Sequence, residues 1–212
     1  MSHPIRGHVL CPLIVAALSL LAGSAASAED RAGQDSAGDA AAVVPFIGIA
    51  SHPSGDVPLL GGFGGEFGVG LRVSRITARI MLGSSFHSIK DGGNLVLGDS
   101  VTVASNWEFS WFGVDGQYAL RNKHRGKPFL SFGIGGAYIT RGENDNVRGW
   151  RISAGAGYEY SLHRVVSASV QAEVAQFRLG KAKAAGQSFD LAEPFDETVV
   201  SVKIGVNLFQ RM

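Results

Sequence analysis

WRISAGAGYEYSL, residues Trp150 to Leu162, alternates without a break. Trp150, Ile152, Ala154, Ala156, Tyr158, Tyr160 and Leu162 form one set; Arg151, Ser153, Gly155, Gly157, Glu159 and Ser161 form the other. Successive strand side chains point to opposite faces, so this is a β-strand with one greasy and one wet face. At thirteen residues it is about twice as long as the usual strand of ~5–6 residues. Aromatics mark both ends of its greasy face. A soluble sheet buries such a face under a second layer. A membrane barrel turns it to lipid and sets the aromatics at the two interfaces.

The same pattern recurs along the chain. Stretches at Val43–Ser51, Gly62–Ser74, Ile76–Ile89, Asn106–Leu120, Lys127–Thr140, Val165–Leu179 and Glu197–Phe209 join the first to make eight. In the second, Phe63, Phe67, Val69, Leu71 and Val73 oppose Gly64, Glu66, Gly68, Gly70 and Arg72. In the fourth, Trp107, Phe109 and Trp111 alternate first, and then Phe112, Val114, Gly116, Tyr118 and Leu120 continue one residue out of phase. That slip predicts a β-bulge near Trp111–Phe112. Phe177 is likewise out of phase with Val166 to Val174, predicting an irregularity near Ala175. No stretch carries the 3.6-residue period of an amphipathic helix.

The connections sort by length. Residues 52–61, 90–105, 141–148 and 180–196 are long; the turns at Arg75, 121–126 and 163–164 are short, and the two kinds strictly alternate. Outer-membrane barrels have short periplasmic turns and longer external loops. Thirteen residues at ~3.3 Å, tilted by ~40°, span roughly 30 Å, enough for the apolar band and its interfaces. The expected fold is an all-β, eight-stranded antiparallel up-and-down transmembrane β-barrel. Its aromatic girdles are Phe63, Phe86, Trp107, Tyr138 and Trp150 at the long-loop end, and Tyr118, Tyr158 and Tyr160 at the short-turn end. A soluble barrel carrying an apolar ligand would need the greasy face inside and the charges outside.

The 212 residues include 29 glycines and a 45% hydrophobic fraction, with a formal charge of +1. Arg6 and His8 precede an apolar run, VLCPLIVAALSLLAG, which ends before Ala26-Ser27-Ala28. This pattern predicts a signal peptide over 1–28 cleaved near Ala28, a flexible segment over 29–41 and a barrel over 42–212. Beyond the leader 18 basic residues balance 18 acidic ones, so no footprint for nucleic acid exists. Cys11 is the only cysteine, which leaves the rest of the chain without a disulfide or thiolate chemistry.

The polar faces hold Glu66, Arg72, Arg79, Glu108, Asp115, Arg151, Glu159, Glu173 and Lys203. An eight-stranded barrel is just wide enough for side chains to fill, and enclosed charges must be paired. The expectation is a charge-paired lumen plug; the alternative is a small porin-like path for ions or solutes. The interleaved glycines open no helix, which excludes a phosphate-binding loop. His87 with Ser85 is the one in-strand pair with nucleophile chemistry, read as a polar rim histidine. His52, His124 and His163 fall in connections without metal-ligand spacing. Glu143, Asn144, Asp145 and Asn146 read as a solvated hairpin tip. No catalytic residue, metal site or cofactor is expected. Arg141, Arg148, Arg178, Lys181 and Lys183 gather at the external rim, where they could meet lipopolysaccharide phosphates.

KPFLSFGIGGAY (Lys127–Tyr138), GAGYEYSL (Gly155–Leu162), SASVQAEVAQF (Ser167–Phe177) and the closing strand resemble the small outer-membrane β-barrel proteins of Gram-negative bacteria, of OmpA/OmpX type. The resemblance covers about Val43 to Phe209. It implies a non-enzymatic integral protein of the cell outer membrane that acts in envelope structure or through its external loops. Its implied partners are outer-membrane lipid, lipopolysaccharide and the outer-membrane insertion machinery, with a loop partner the sequence does not name. The family closes its last strand on a C-terminal aromatic, whereas here Gln210, Arg211 and Met212 follow Phe209. No peptidoglycan-binding domain is expected after the barrel.

Overall fold

A computed structural model describes residues 40–55, 59–89, 94–97, 100–103, 106–120, 125–140, 146–184 and 187–211. The expected signal peptide and nearly all of the expected flexible segment lie outside these residues. Ten strands follow in order: β1 Ala40–Gly55, β2 Leu59–Val73, β3 Ile76–Ile89, β4 Asn94–Leu97, β5 Ser100–Val103, β6 Asn106–Ala119, β7 Gly126–Thr140, β8 Asn146–His163, β9 Val166–Ala184 and β10 Gln187–Arg211. Eight of them close into a ring in the order β1-β10-β9-β8-β7-β6-β3-β2, with β1 also paired to β2. Every neighbouring pair is antiparallel. Closure leaves no sheet edge, so the ladder hydrogen bonds of each strand are met on both sides.

Period-two alternation dictates which side chains enter the ring. On β3, Ile76, Ile80, Leu82 and Phe86 are exposed on the outer wall, and Thr77, Arg79, Met81, Ser85 and His87 are buried inside. On β10, Val200, Val202, Ile204 and Val206 face out and Ser201, Lys203 and Asn207 face in. The wall is therefore apolar on its outside: Phe63 is 76% exposed and Ile204 68%. Transfer of one such side chain out of water is worth about 1.5–3 kcal/mol.

Four expectations are corrected. First, β6 holds an unbroken register with β3 from Ser88↔Asn106 to Ile76↔Tyr118, and with β7 from Glu108↔Thr140 to Ala119↔Phe129, so no bulge interrupts Trp111–Phe112. The bulky side chains of β6 face the lumen in its upper half (Trp107, Phe109, Trp111) and the outside in its lower half (Phe112, Val114, Tyr118), which mimics a slip. Second, β9 runs regularly through Ala175, and its irregularity falls at Gly180, skipped between Gly149↔Leu179 and Arg148↔Lys181. Third, the connections at 90–105 and 180–196 are not structureless. The first contains the β4–β5 hairpin, and the second extends β9 and β10 as a ladder to Ala184↔Gln187 with a shift between Asp190 and Phe195. Fourth, Ala40 and Ala41 are already in β1, because they pair with Val73 and with Arg72 and Arg211.

At the short-turn end the two-residue connection Ser74–Arg75 joins the pair Val73↔Ile76. Ser74 has φ 54°, the left-handed geometry that two-residue hairpins require and that favours glycine. Relief of about 1–2 kcal/mol of left-handed strain outweighs the roughly 0.4–1 kcal/mol that a glycine adds to unfolded-chain freedom. Ser74→Gly should raise the urea midpoint of unfolding in detergent micelles slightly, and Ser74→Val should lower it. The reverse order would mean that the turn is not held in this geometry.

Candidate functional site

The barrel interior is stacked in tiers. Nearest the short turns, Arg72 on β2 grips Glu159 on β8 with two parallel bonds of 2.8 and 2.7 Å and donates through Nε to Thr77 at 2.8 Å. Its guanidinium also lies 4.6 Å from the Phe209 ring centre. Asn207 donates to Glu159 and to Ser167, both at 3.3 Å. Above this, Arg79 on β3 donates to Asp115 on β6 through both Nε, at 2.9 Å, and Nη2.

The central tier is a continuous chain of charges. Lys203 on β10 reaches Glu66 on β2 at 2.7 Å and Glu173 on β9 at 2.8 Å. Arg151 on β8 pairs with Glu173, and the Trp111 indole N–H donates to Glu66 at 2.9 Å. Gln171 donates to Ser131 at 2.9 Å and to Glu173 at 3.2 Å. Gly83 makes room for this arrangement: a Cβ there would meet the Trp111 ring at 2.5 Å and the Glu66 Cγ at 2.6 Å. Four acids (Glu66, Asp115, Glu159, Glu173) thus face four bases (Arg72, Arg79, Arg151, Lys203) in these tiers.

The upper tier is mostly aromatic and aliphatic, with Glu197 fully buried beside Phe177, which the sequence reading missed. Trp107, Phe109 and Trp111 on β6 pack inside with Phe177 and Leu179 on β9, Leu59, Ile139 and Val147. The Phe109 and Phe177 ring centres stand 5.3 Å apart. Arg151 joins the tiers, with its guanidinium 5.4 Å from the Trp111 ring centre and 5.9 Å from that of Phe177. Because β6 keeps its register, Trp107 and Glu108 stand opposite to expectation. Trp107 is 2% exposed and fills the lumen instead of the girdle. Glu108 points outward, where Ser110 donates to its carboxylate at 3.2 Å. The alternation of Trp107, Phe109, Trp111 with the in-phase Asp115 and Gln117 was the available signal. Between the tiers a residual cavity of about 10 Å³, lined by Phe109, Trp111, Arg151 and Lys203 among others, is close to the least space that holds one water.

His87 belongs to the lumen and not to the outer rim. Its Nδ1 lies 2.9 Å from the Leu60 carbonyl, which makes that nitrogen the donor, and its Nε2 lies 2.9 Å from the Ser85 hydroxyl and 3.4 Å from that of Ser51. The ring stands edge-on to Phe109 at 5.5 Å. The carbonyl occupies the position an orienting carboxylate holds in a nucleophile-activating triad, so this imidazole ties β2 to β3. His52 and His163 are exposed. Among the described residues no group of three or more His, Cys, Asp or Glu could hold a metal ion. His124, Arg141, Glu143, Asn144 and Asp145 lie outside the described residues.

On the outer wall Phe63 stands beside Phe86, and Tyr138 and Trp150 sit on adjacent strands at the same end. Tyr118, Tyr158 and Tyr160 lie at the other end, all exposed. Arg148, Arg178 and Lys181 are exposed near Trp150, and Lys183 is half-buried.

No protein-family description and no curated protein matches the chain. Solved structures do. Neisserial surface protein A is similar at 12% identity over 79% of this chain and 97% of that one, with a TM-score of 0.55. OprG from Pseudomonas aeruginosa is similar at 10% identity over 83% and 97%, also with a TM-score of 0.55. The outer membrane protein AlkL is similar at 14% identity over 86% and 94%, with a TM-score of 0.53. The fold is that of the small outer-membrane β-barrels. At such identities the likeness extends to the ring of strands, and the tiers inside it are this chain's own.

Removing one member of a buried pair strands its partners at about 3–5 kcal/mol. Lys203→Met should therefore destabilise the folded barrel by about that much, because Glu66 and Glu173 both lose their ammonium. Adding Glu66→Gln should restore part of the loss in a denaturant titration. Strict additivity of the two substitutions would mean that the residues are not coupled.

Proposed function

We propose that this chain is a non-enzymatic integral protein of the Gram-negative outer membrane, exported by a signal peptide cleaved near Ala28. It acts in envelope structure or through its external loops, with a plugged, charge-paired lumen. The observation that carries this reading is the inversion of the barrel: Phe63, Ile80, Phe132 and Ile204 stand exposed outside while Arg79, Glu173 and Lys203 are buried inside. A protein surrounded by water has no reason to expose a continuous apolar wall. Two aromatic rows, one near each end, support limits to that wall. On β3 the outward stretch from Ile76 to Phe86 makes ten steps of ~3.3 Å, or roughly 25 Å at a tilt of ~40°, the height of a lipid-facing band.

Its partners on this reading are outer-membrane lipid, the machinery that inserts barrels, and a loop partner outside. Nucleic acid and cofactors have no place in it. The porin-like alternative needs an open path, and the aromatic tier above the ion pairs speaks against one. The enclosed Ser85–His87 pair, with a carbonyl on the second ring nitrogen, speaks for a structural histidine.

Tryptophan quenching tests the inversion. In vesicles of lipids brominated along the acyl chain, the protein with Trp107→Phe and Trp111→Phe should keep strong quenching of Trp150. Trp150→Phe should leave two tryptophans that are barely quenched. Equal quenching of both variants would refute the assignment of faces. In planar bilayers the protein should give no reproducible single-channel steps; regular steps would favour the transport alternative.

A further inference from the structure

The short-turn rim carries charge of one sign. Its four corners are the β2–β3 turn, the β6–β7 connection, the β8–β9 turn, and the start of β1 beside the end of β10. Strand order sets them a quarter of the ring apart. Each corner has an exposed arginine: Arg75, Arg125, Arg164 and Arg211. Lys127 adds a half-buried ammonium. Among the described residues the one carboxylate at this end is Glu159, which is buried and gripped by Arg72. The opposite end mixes signs, with Arg148, Arg178 and Lys181 exposed alongside Asp190, Glu193 and Asp196. Neither the plug nor the tyrosine row requires the cations of the short-turn rim.

Backbone bonds hold these corners in place. The Arg75 carbonyl accepts from the Ala119 N–H at 2.8 Å, the Arg125 carbonyl from Ser161 at 2.8 Å, and the Val165 carbonyl from Phe209 at 2.9 Å. Each connection is thereby tied to the next strand, so less order has to be imposed on binding. Lys127 and Arg211 belong to the mouth of the ring and not to its wall. Lys127 pairs with the lumen-facing Glu159, and Arg211 is two residues past Phe209, whose ring meets Arg72 inside. Eight strands ~4.8 Å apart, tilted by ~40°, make a ring roughly 16 Å across, with neighbouring corners about 11 Å apart.

We propose that this rim docks an extended acidic segment of a periplasmic protein, laid across the mouth with its carboxylates on the arginines. This rests on the outer-membrane orientation given under Proposed function, which turns the short turns to the periplasm. Size argues against a folded partner surface: the disc covers roughly 200 Å², against the ~800 Å² that each partner gives to a standard interface. An extended chain at ~3.3 Å per residue crosses it in about five residues, and acidic side chains on alternate positions recur every ~7 Å. Guanidinium forks match carboxylates with two parallel bonds. Lipid headgroups gather around the wall, whereas Lys127 and Arg211 share the lumen-facing side of their strands.

The test holds the folded protein in nanodiscs of zwitterionic lipid. A fluorescein-labelled heptapeptide of alternating glutamate and serine is titrated at low salt and followed by fluorescence anisotropy. It should bind at least about tenfold more tightly than its glutamine counterpart, the margin of one or two charge-assisted bonds. Salt at about 1 M, which shortens screening to ~3 Å, should release it. R75Q/R125Q and R164Q/R211Q should each weaken binding about tenfold. R148Q/R178Q/K181Q, at the opposite end, should leave it unchanged. Equal binding of the two peptides, or an equal loss in the opposite-end variant, would overturn the proposal. Two other occupants would overturn it as well. Loss of the peptide when phosphatidylglycerol replaces half of the disc lipid assigns the rim to headgroups. Tighter binding of a soluble cell-wall muropeptide with the same number of carboxylates assigns it to the wall polymer. Heat-modifiable gel mobility is read on every sample. A barrel that keeps it and ignores the peptide removes the rim's partner and leaves the membrane reading intact; a chain that lacks it overturns both.

Discussion

Lys203 lies between Glu66 and Glu173, and much of the barrel depends on that contact. Lys203 is on β10 and Glu66 on β2, strands that are not neighbours because β1 stands between them. Arg72 on β2 crosses the lumen to Glu159 on β8 in the same way. Trp111 on β6 reaches over β3 to Glu66. Ladder hydrogen bonds fix each strand to its two neighbours but say little about the cross-section of the ring. Struts between non-neighbours do. Eight strands leave so little interior that long charged side chains from opposite walls meet, and the low dielectric there makes an unmet partner expensive.

The apolar upper tier follows from the same narrowness. A lumen end without enough paired charges is filled by side chains or by water. Here Trp107, Phe109, Phe177 and Leu179 fill it, so hydrophobic burial operates inside the ring as well as on its wall. Arg151 suits the boundary between the two regimes. Its guanidinium bonds to Glu173 while its faces lie against Trp111 and Phe177, a mixed environment that a lysine ammonium does not match.

The ring of eight strands was legible in the sequence because an apolar outer wall imposes one rule on every strand: apolar residues on alternate positions, over an unusual length. Interior tiers obey no such rule. Trp107, Phe109 and Trp111 alternate cleanly, and so do Phe112, Val114 and Tyr118. One strand cannot distinguish a phase slip from a strand whose bulky side chains face the lumen at one end and the outside at the other. The deciding information is pairing register with β3 and β7, which is non-local. The same limit hid the extension of β9 and β10, where Glu193-Pro194 and flanking charges read as a loop although the ladder resumes around them. Pairing partners among the charges were equally illegible: Arg72 and Glu159 lie 87 positions apart, and only ring closure brings them together.

The inside and the outside of the ring are built from different side chains. With struts across the lower tiers and aromatics above them, the described interior leaves a cavity of about 10 Å³ between its tiers. The outer wall exposes Phe63, Ile80, Phe132 and Ile204 where the interior holds ion pairs and aromatics. On most of that wall the side chains form a uniform apolar surface. The surface between β6 and β9 breaks that uniformity, because Gly136 presents no side chain, the ladder skips Gly180, and Arg148, Arg178 and Lys181 stand on it.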